Sequence, residues 1–367
     1  MKKKIIQTSR KREDIKIATL YISKYVDNFK AQTMDTIRWL KISESLAELG
    51  YKVDMITNEE SQKIIKISGN LRRLPYSKFN WKGYSVIKTL FQEGFHSLEK
   101  TGGQNHPFII SKTTVVGRHN NPSVHFTGWT RWRLSSIQRR MNNKAKYITV
   151  LTKESAMLWS KEYGQRKILI VPTGVDKNIP EKGRNPYKFK EKVVLFTGNI
   201  RNYQQRKVNA RWQEILNTIG KHLSKENIKL CFIGTGDTKK LNKSYVTCLG
   251  SIENKIIWDY LRYANCGIAL AEGSPQNFES SKIYYYLRAG LPVVCEDPIP
   301  NKEIVKKAKL GFIAPYNNNA KMAKLIIKAI NKKWDKKQAI NYIIRNHTWD
   351  KRVKIYDEIF KKSFKIR

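Results

Sequence analysis

The sequence is poor in acidic residues: 30 Asp and Glu stand against 71 Lys and Arg, a formal net charge of +41 in 367 residues. A field of that sign draws polyanions or anionic surfaces and is silent about fold. Long apolar runs are also missing. No stretch of about 18 apolar residues occurs, so nothing reads as a membrane-spanning helix. Met1-Lys2-Lys3-Lys4 leads only into Ile5-Ile6 before polar residues, so no signal-peptide core is read. Cysteine is scarce. Cys231, Cys248, Cys266 and Cys295 form no Cys-x-x-Cys pair and each sits in an apolar stretch. Buried free thiols in a reduced compartment are expected, not a zinc site. The six histidines do not cluster at ligand spacing; only His119 and His125 can share a loop. A cytoplasmic protein is expected.

What is present supports sizeable cores. Forty per cent of residues are hydrophobic and 11% aromatic, with 20 Gly and 11 Pro. At about 150 residues per domain, two domains are expected. Lys greatly outnumbers Arg, and Ile, Asn and Tyr are plentiful. The charge therefore has two readings, a genomic background or a real anionic partner.

Residues 15–21 read as a buried strand, 32–49 as a helix with Ile37, Leu40, Leu46 and Leu49 on one face, and 53–57 as a second strand. Gly50 stops the helix. This is one half of a doubly wound parallel sheet. Residues 70–145 parse poorly, with possible strands at 108–110 and 114–116. A strand at 147–151, a helix at 153–163 and a strand at 167–171 end the first half at Asp176. Residues 177–191, polar and with Pro180, Gly183 and Pro186, read as a linker. Alternation then restarts. Strands are expected at 192–197, 229–233, 245–249, 267–271, 292–295 and 311–314. Helices are expected at 208–223, 255–262, 281–289, 320–330 and 349–364. The fold class is α/β: two tandem Rossmann-like domains, 1–176 and 192–348, facing a cleft.

Ligands of open parallel sheets bind at the carboxyl ends of the strands. Three second-half loops qualify. Thr197-Gly198-Asn199-Ile200-Arg201 precedes Arg206 and Lys207; its glycine admits a ligand and its cations suit a diphosphate. Gly234-Thr235-Gly236 fits a nucleotide-lining turn and an ordinary tight turn equally. The third runs from Glu272 through Asn277 and Glu279 to Ser280-Ser281-Lys282, where Ser280 or Ser281 caps a helix with outward N–H groups and Lys282 adds charge. Gly290 closes that helix.

These residues carry a resemblance covering nearly the whole chain. Leu46 to Thr57, Val150 to Ser155, Val171-Pro-Thr-Gly-Val-Asp176, Phe196-Thr-Gly198 to Lys207 and His347-Thr-Trp349-Asp350 all contribute. Most specific is Ser280-Ser-Lys-Ile-Tyr-Tyr-Tyr-Leu-Arg-Ala-Gly-Leu-Pro-Val-Val294. The sequence resembles the retaining nucleotide-sugar glycosyltransferases with two Rossmann-like domains (the GT-B fold), family 4 in particular. The resemblance implies a donor on the second domain and a closing helix, 349–367, that crosses back to the first. It implies a catalytic set of Arg201, Lys207 and Glu279, with the two cations near the diphosphate. Donor-binding residues would be Gly198, Asn199, Gly234, Gly236, Ile252, Asn277, Ser280, Ser281, Lys282 and Tyr285. Preorganised cations would stabilise the departing diphosphate. No cofactor is implied, and the lack of an Asp-x-Asp pair agrees with a metal-independent enzyme. Family 4 usually carries two glutamates eight residues apart; Asn277 and Tyr285 stand there instead. Either Glu279 takes over through a shifted loop, or Tyr285 and backbone groups suffice.

The first domain would take the acceptor. The stretch from Gly128 to Lys146 mixes Trp129, Trp132, Leu134, Ile137 and Met141 with Arg131, Arg133, Arg139 and Arg140. Residues 71–82 have similar character. Such basic aromatic stretches lie in anionic headgroup layers; the alternative is a buried apolar face with a solvated basic side. The expected acceptor is a lipid-linked or cell-surface glycan at the inner face of the membrane. Two other readings stay open. One is an enzyme glucosylating modified bases of phage DNA, since duplex DNA suits a +41 chain. The other is a nucleotide-sugar or nucleic-acid binding protein without turnover.

Overall fold

A computed structural model describes residues 10–22, 33–58, 63–116, 126, 128–164, 167–200 and 206–366. Two sheets are built in chain order. The first holds β1 (Lys16–Leu20), β2 (Lys52–Thr57), β3 (Ile65–Lys66), β4 (Leu71–Pro75), β5 (Val86–Leu90), β6 (Ile109–Lys112), β7 (Tyr147–Val150) and β8 (Ile168–Ile170). Their order is β3-β4-β2-β1-β5-β6-β7-β8, parallel except for the β3 edge. The second holds β9 (Lys192–Thr197), β10 (Ile228–Ile233), β11 (Val246–Gly250), β12 (Cys266–Ala269), β13 (Val293–Glu296) and β14 (Gly311–Ala314). Its order is β11-β10-β9-β12-β13-β14, parallel throughout. Strand order reverses around β1 in the first sheet and around β9 in the second, which leaves a crevice at each carboxyl edge.

Helices cover both faces of both sheets. In the first half, α1 (Met34–Glu48) lies on one face; α2 (Phe91–Lys100), α3 (Gly128–Lys144) and α4 (Lys153–Tyr163) lie on the other. In the second, α5 (Arg206–Ser224) and α9 (Asn319–Asn331) share one core. On the opposite face α6 (Ile257–Tyr263), α7 (Ser281–Arg288), α8 (Glu303–Ala308) and α10 (Lys336–Asn346) share another. The last helix, α11 (Trp349–Phe364), leaves the second half and packs on α1, with Trp349, Val353, Tyr356 and Phe360 in the first-half core. Its root is pinned: the Val175 amide donates to the His347 carbonyl at 3.0 Å, and the Trp349 amide to the Val175 carbonyl at 3.2 Å.

Several expectations need correction. Residues 71–82 are not an interfacial stretch: β4 is an internal strand, and Leu71, Leu74 and Phe79 are buried. Arg72 is neutralised by Asp54 through two contacts of 2.8 Å. Residues 114–116 form no strand, although Val115 and Val116 are buried. Cys248 is exposed, unlike the other three thiols; it sits on edge strand β11, whose residues alternate toward solvent. The sequence pattern predicts none of β3, β4, β5, α2, α8 and α10. His119 and His125 lie outside the described residues. Among the described residues, no helix is long and apolar enough to cross a membrane.

Candidate functional site

The crevice of the second sheet is built by the loops after β9, β10 and β11. They are zipped together through backbone hydrogen bonds. The Gly198 amide donates to the Ile233 carbonyl at 2.9 Å, the Ile200 amide to Thr235 at 2.8 Å, and the Gly234 amide to Gly250 at 2.8 Å. Gly234 and Gly236 have φ of +153° and +116°. A Cβ on Gly234 would sit 1.5 Å from the Gly198 oxygen, and one on Gly236 would sit 1.9 Å from the Ile200 oxygen. Both glycines are thus required by loop-on-loop approach. Asn199 braces the same loops, its Oδ1 accepting from the Thr235 amide at 3.3 Å and hydrogen-bonding the hydroxyl at 3.0 Å. Ile252 packs, half-buried, against the core beneath α6 and α7.

Helix α7 opens beside them. Ser280 is its N-cap residue, but its hydroxyl caps nothing and is buried without a hydrogen bond. The Asn301 side-chain amide instead bonds the Ser280 backbone at 2.8 and 2.9 Å. Ser281 begins the first turn, whose unpaired N–H groups favour an anion. Lys282 lies over Gly198, where a Cβ would meet its Cε at 3.4 Å, and sits 5.4 Å from the ring centres of Phe196 and Trp212. Burial holds its pKa below the usual lysine value, with Glu272 opposing.

The three tyrosines of α7 have separate tasks. The Tyr286 hydroxyl accepts from the Thr197 amide at 3.0 Å and ties α7 to β9. The Tyr284 hydroxyl donates to Glu279 at 2.7 Å. Tyr285 stacks on Trp258 at 5.4 Å, and its hydroxyl is buried without a hydrogen bond.

The loop before α7 reaches the first half of the chain. Thr152 and Ser155 hydroxyls both donate to the Asn277 carbonyl. The Thr173 amide donates to Glu279, and the Arg38 guanidinium bonds the Thr173 hydroxyl while lying 3.9 Å from Glu279. Arg352 of α11 donates to the Thr173 carbonyl at 3.0 Å. Both Glu279 oxygens are therefore engaged by protein, and the side chain fastens the loop before α7 to the first half of the chain. Sequence reasoning missed Arg38, Thr152, Ser155 and Thr173. The signal for Thr152 was its place as the N-cap of α4, where it accepts from the Ser155 amide at 3.0 Å.

Arg201 and the side chain of Lys207 lie outside the described residues. The residues expected on the acceptor side, Trp129, Arg131, Trp132 and Arg133, lie on the first turns of α3. Trp129 is 69% exposed and Trp132 67% exposed, and the Arg133 guanidinium covers the Trp129 ring at 5.5 Å. Arg131 is partly exposed beside them. Leu134, Ile137 and Met141 on the later turns are buried in the sheet core.

Residues 191–332 match the family described as Glycosyl transferases group 1. No curated protein matches the sequence. Among solved structures, sucrose-phosphate synthase from Thermosynechococcus elongatus aligns with a TM-score of 0.71 at 14% identity, over 96% of this chain and 99% of that one. WaaG, a glycosyltransferase involved in lipopolysaccharide biosynthesis, aligns with a TM-score of 0.62 at 16% identity, over 94% and 99%. A TarM variant from S. aureus in complex with fondaparinux, α-GlcNAc-glycerol and UDP aligns at 0.54 and 15% identity, over 75% and 55%. The fold is GT-B: two parallel-sheet α/β domains, the second of which holds the segment that matches the glycosyltransferase group 1 family.

Proposed function

We propose that this protein is a glycosyltransferase that moves a sugar from a nucleoside diphosphate sugar, held on the second sheet, to an acceptor on the first. One observation carries the reading. The segment that matches the glycosyltransferase group spans all three strand-end loops, the first turn of α7 and Lys282. Amide N–H groups and a lysine at one crevice suit a diphosphate. In this reading the diphosphate leaves as negative charge builds on it, and fixed donors and cations stabilise it. Arg201 and Lys207 are assigned there by resemblance. A metal-independent, retaining reaction completes the proposal. Tyr285, stacked on Trp258, is assigned to the donor in place of the missing carboxylate.

The acceptor assigned is a lipid-linked or surface glycan, approached from an anionic membrane. The exposed Trp129–Trp132 turn with its arginines supports this, since such aromatics insert at headgroup depth and basic groups add about 1 kcal/mol each.

The test is a thermal-shift screen against UDP-, GDP-, ADP- and dTDP-sugars. A donor at about 100 times Kd should stabilise the protein by about 2.7 kcal/mol. A chain that no nucleotide sugar stabilises, and that consumes none across an acceptor panel, would refute the reading. Product anomeric configuration by NMR checks retention, and turnover in chelator checks metal independence.

A further inference from the structure

Three buried cations lie within electrostatic reach of one another on one face of the first sheet. Arg38, Lys88 and Lys112 are 6%, 3% and 4% exposed. They come from α1, the middle of β5 and the last position of β6. Lys88 is in register with Ile110, and Lys112 lies two residues beyond it, so both lysines share one face of the sheet. That face also carries α1 and α11. The place adjoins the strand reversal between β1 and β5, where open sheets take ligands.

The nearby carboxylates do not satisfy this group. Asp35 is shared, 3.4 Å from Lys112 and 3.5 Å from Arg38. Glu279 is occupied by the Thr173 amide and the Tyr284 hydroxyl. Lys88 has no hydrogen-bond or ion-pair partner among the described residues; its neighbour is the Tyr356 ring at 5.6 Å. Arg38 Nε and the Tyr285 hydroxyl, which lies within electrostatic reach of Arg38, are also buried without partners. Burial, with Lys112 and Arg38 adding repulsion, pulls the Lys88 pKa down to about 7. Burial pulls Lys112 down to about 8, and Asp35 opposes it. An ammonium held in a buried residue without a partner is unfavourable, and native proteins rarely keep one. An incoming oxyanion removes that cost.

We propose that Arg38, Lys88 and Lys112 form a subsite for an oxyanion carried by the acceptor, a phosphate ester or a carboxylate, so that the acceptor is an anionic molecule. This rests on the glycosyltransferase reading and narrows it. Membrane contact at α3 then brings the acceptor to the protein, and this cluster reads its charge.

Calorimetric titration tests the subsite without turnover. The probes are glycerol 3-phosphate, glycerate and neutral glycerol, each against the wild-type chain, Lys88→Met and Lys112→Met, with UDP titrated in parallel. At least one anion should bind the wild type while glycerol does not, and the tighter anion names the source. Each variant should lose tenfold or more in anion affinity and keep UDP affinity within twofold. Lys88→Met removes an unpaired buried charge, so it should melt above the wild type in anion-free buffer; loss of binding is then not loss of fold. Anion affinity within twofold of wild type in both variants would overturn the subsite, as would a wild type that binds UDP and neither anion. A chain that binds the anion but no nucleoside diphosphate would strike the glycosyltransferase reading and leave the subsite standing.

Discussion

At the residue scale, close approach decides most of what cannot be changed. Gly234 abuts the Gly198 oxygen at positive φ. Gly234→Ala should therefore cost about 2–4 kcal/mol, from backbone strain and a forced loop shift. Urea denaturation should show a lower midpoint at unchanged slope. Glu279 gives a second case. Glu279→Leu leaves the Thr173 amide and Tyr284 hydroxyl without their acceptor, so a loss of about 3 kcal/mol is expected by the same measurement. Glu279→Gln should recover most of it, since an amide oxygen still accepts. Legibility differed sharply among these residues. The glycine pair after β10 and the serine–lysine start of α7 stand out in the sequence because loop chemistry is local. The Glu279–Thr173–Arg38 contact joins residues 106 and 135 positions apart, and no local pattern announces it.

At the element scale, α3 divides into two uses. Leu134→Ala should cost about 2–5 kcal/mol, because Leu134 is buried in the sheet core. Replacing Trp129 and Trp132 together by Ala should change stability by about 0.5 kcal/mol or less. It should also abolish co-sedimentation with anionic liposomes; retained co-sedimentation would refute membrane docking through this turn. The junction of α10 and α11 has a pH signature. The Arg352 guanidinium lies 2.8 Å from His347 Nδ1, and burial, aided by Arg352 and Lys307, takes His347 down to about 4. A lowered folded pKa means the unfolded chain takes up the proton first. This contribution is full above about pH 6.5 and is lost as pH falls toward 4. Melting temperature should drop across that window, and His347→Gln should drop less. Periodicity makes the six strands of the second sheet and the β1–α1–β2 unit readable. It fails over 70–145 because buried strands there carry charge: Arg72 is cancelled by Asp54, and Lys88 sits beside Thr89 in the buried β5. Cancellation between distant strands erases the pattern that a one-dimensional reading needs.

At the scale of the whole molecule, the +41 charge sets how the protein meets other surfaces. Association with anionic vesicles should weaken steeply as salt shortens the Debye length from about 10 Å at 0.1 M to about 3 Å at 1 M. Unchanged binding at high salt would leave the tryptophans as the sole anchor. The chain passes between its halves twice, before β9 and again into α11, and the two passages are hydrogen-bonded side by side where Val175 meets His347 and Trp349. Two threads bonded to each other give the halves a doubled seam, so that neither passage alone carries the connection. A single protease nick between Glu181 and Arg184 should consequently leave the halves travelling together on a native gel, because the second thread and the α1–α11 packing still bind them. Only a cut in both passages should turn one body into two.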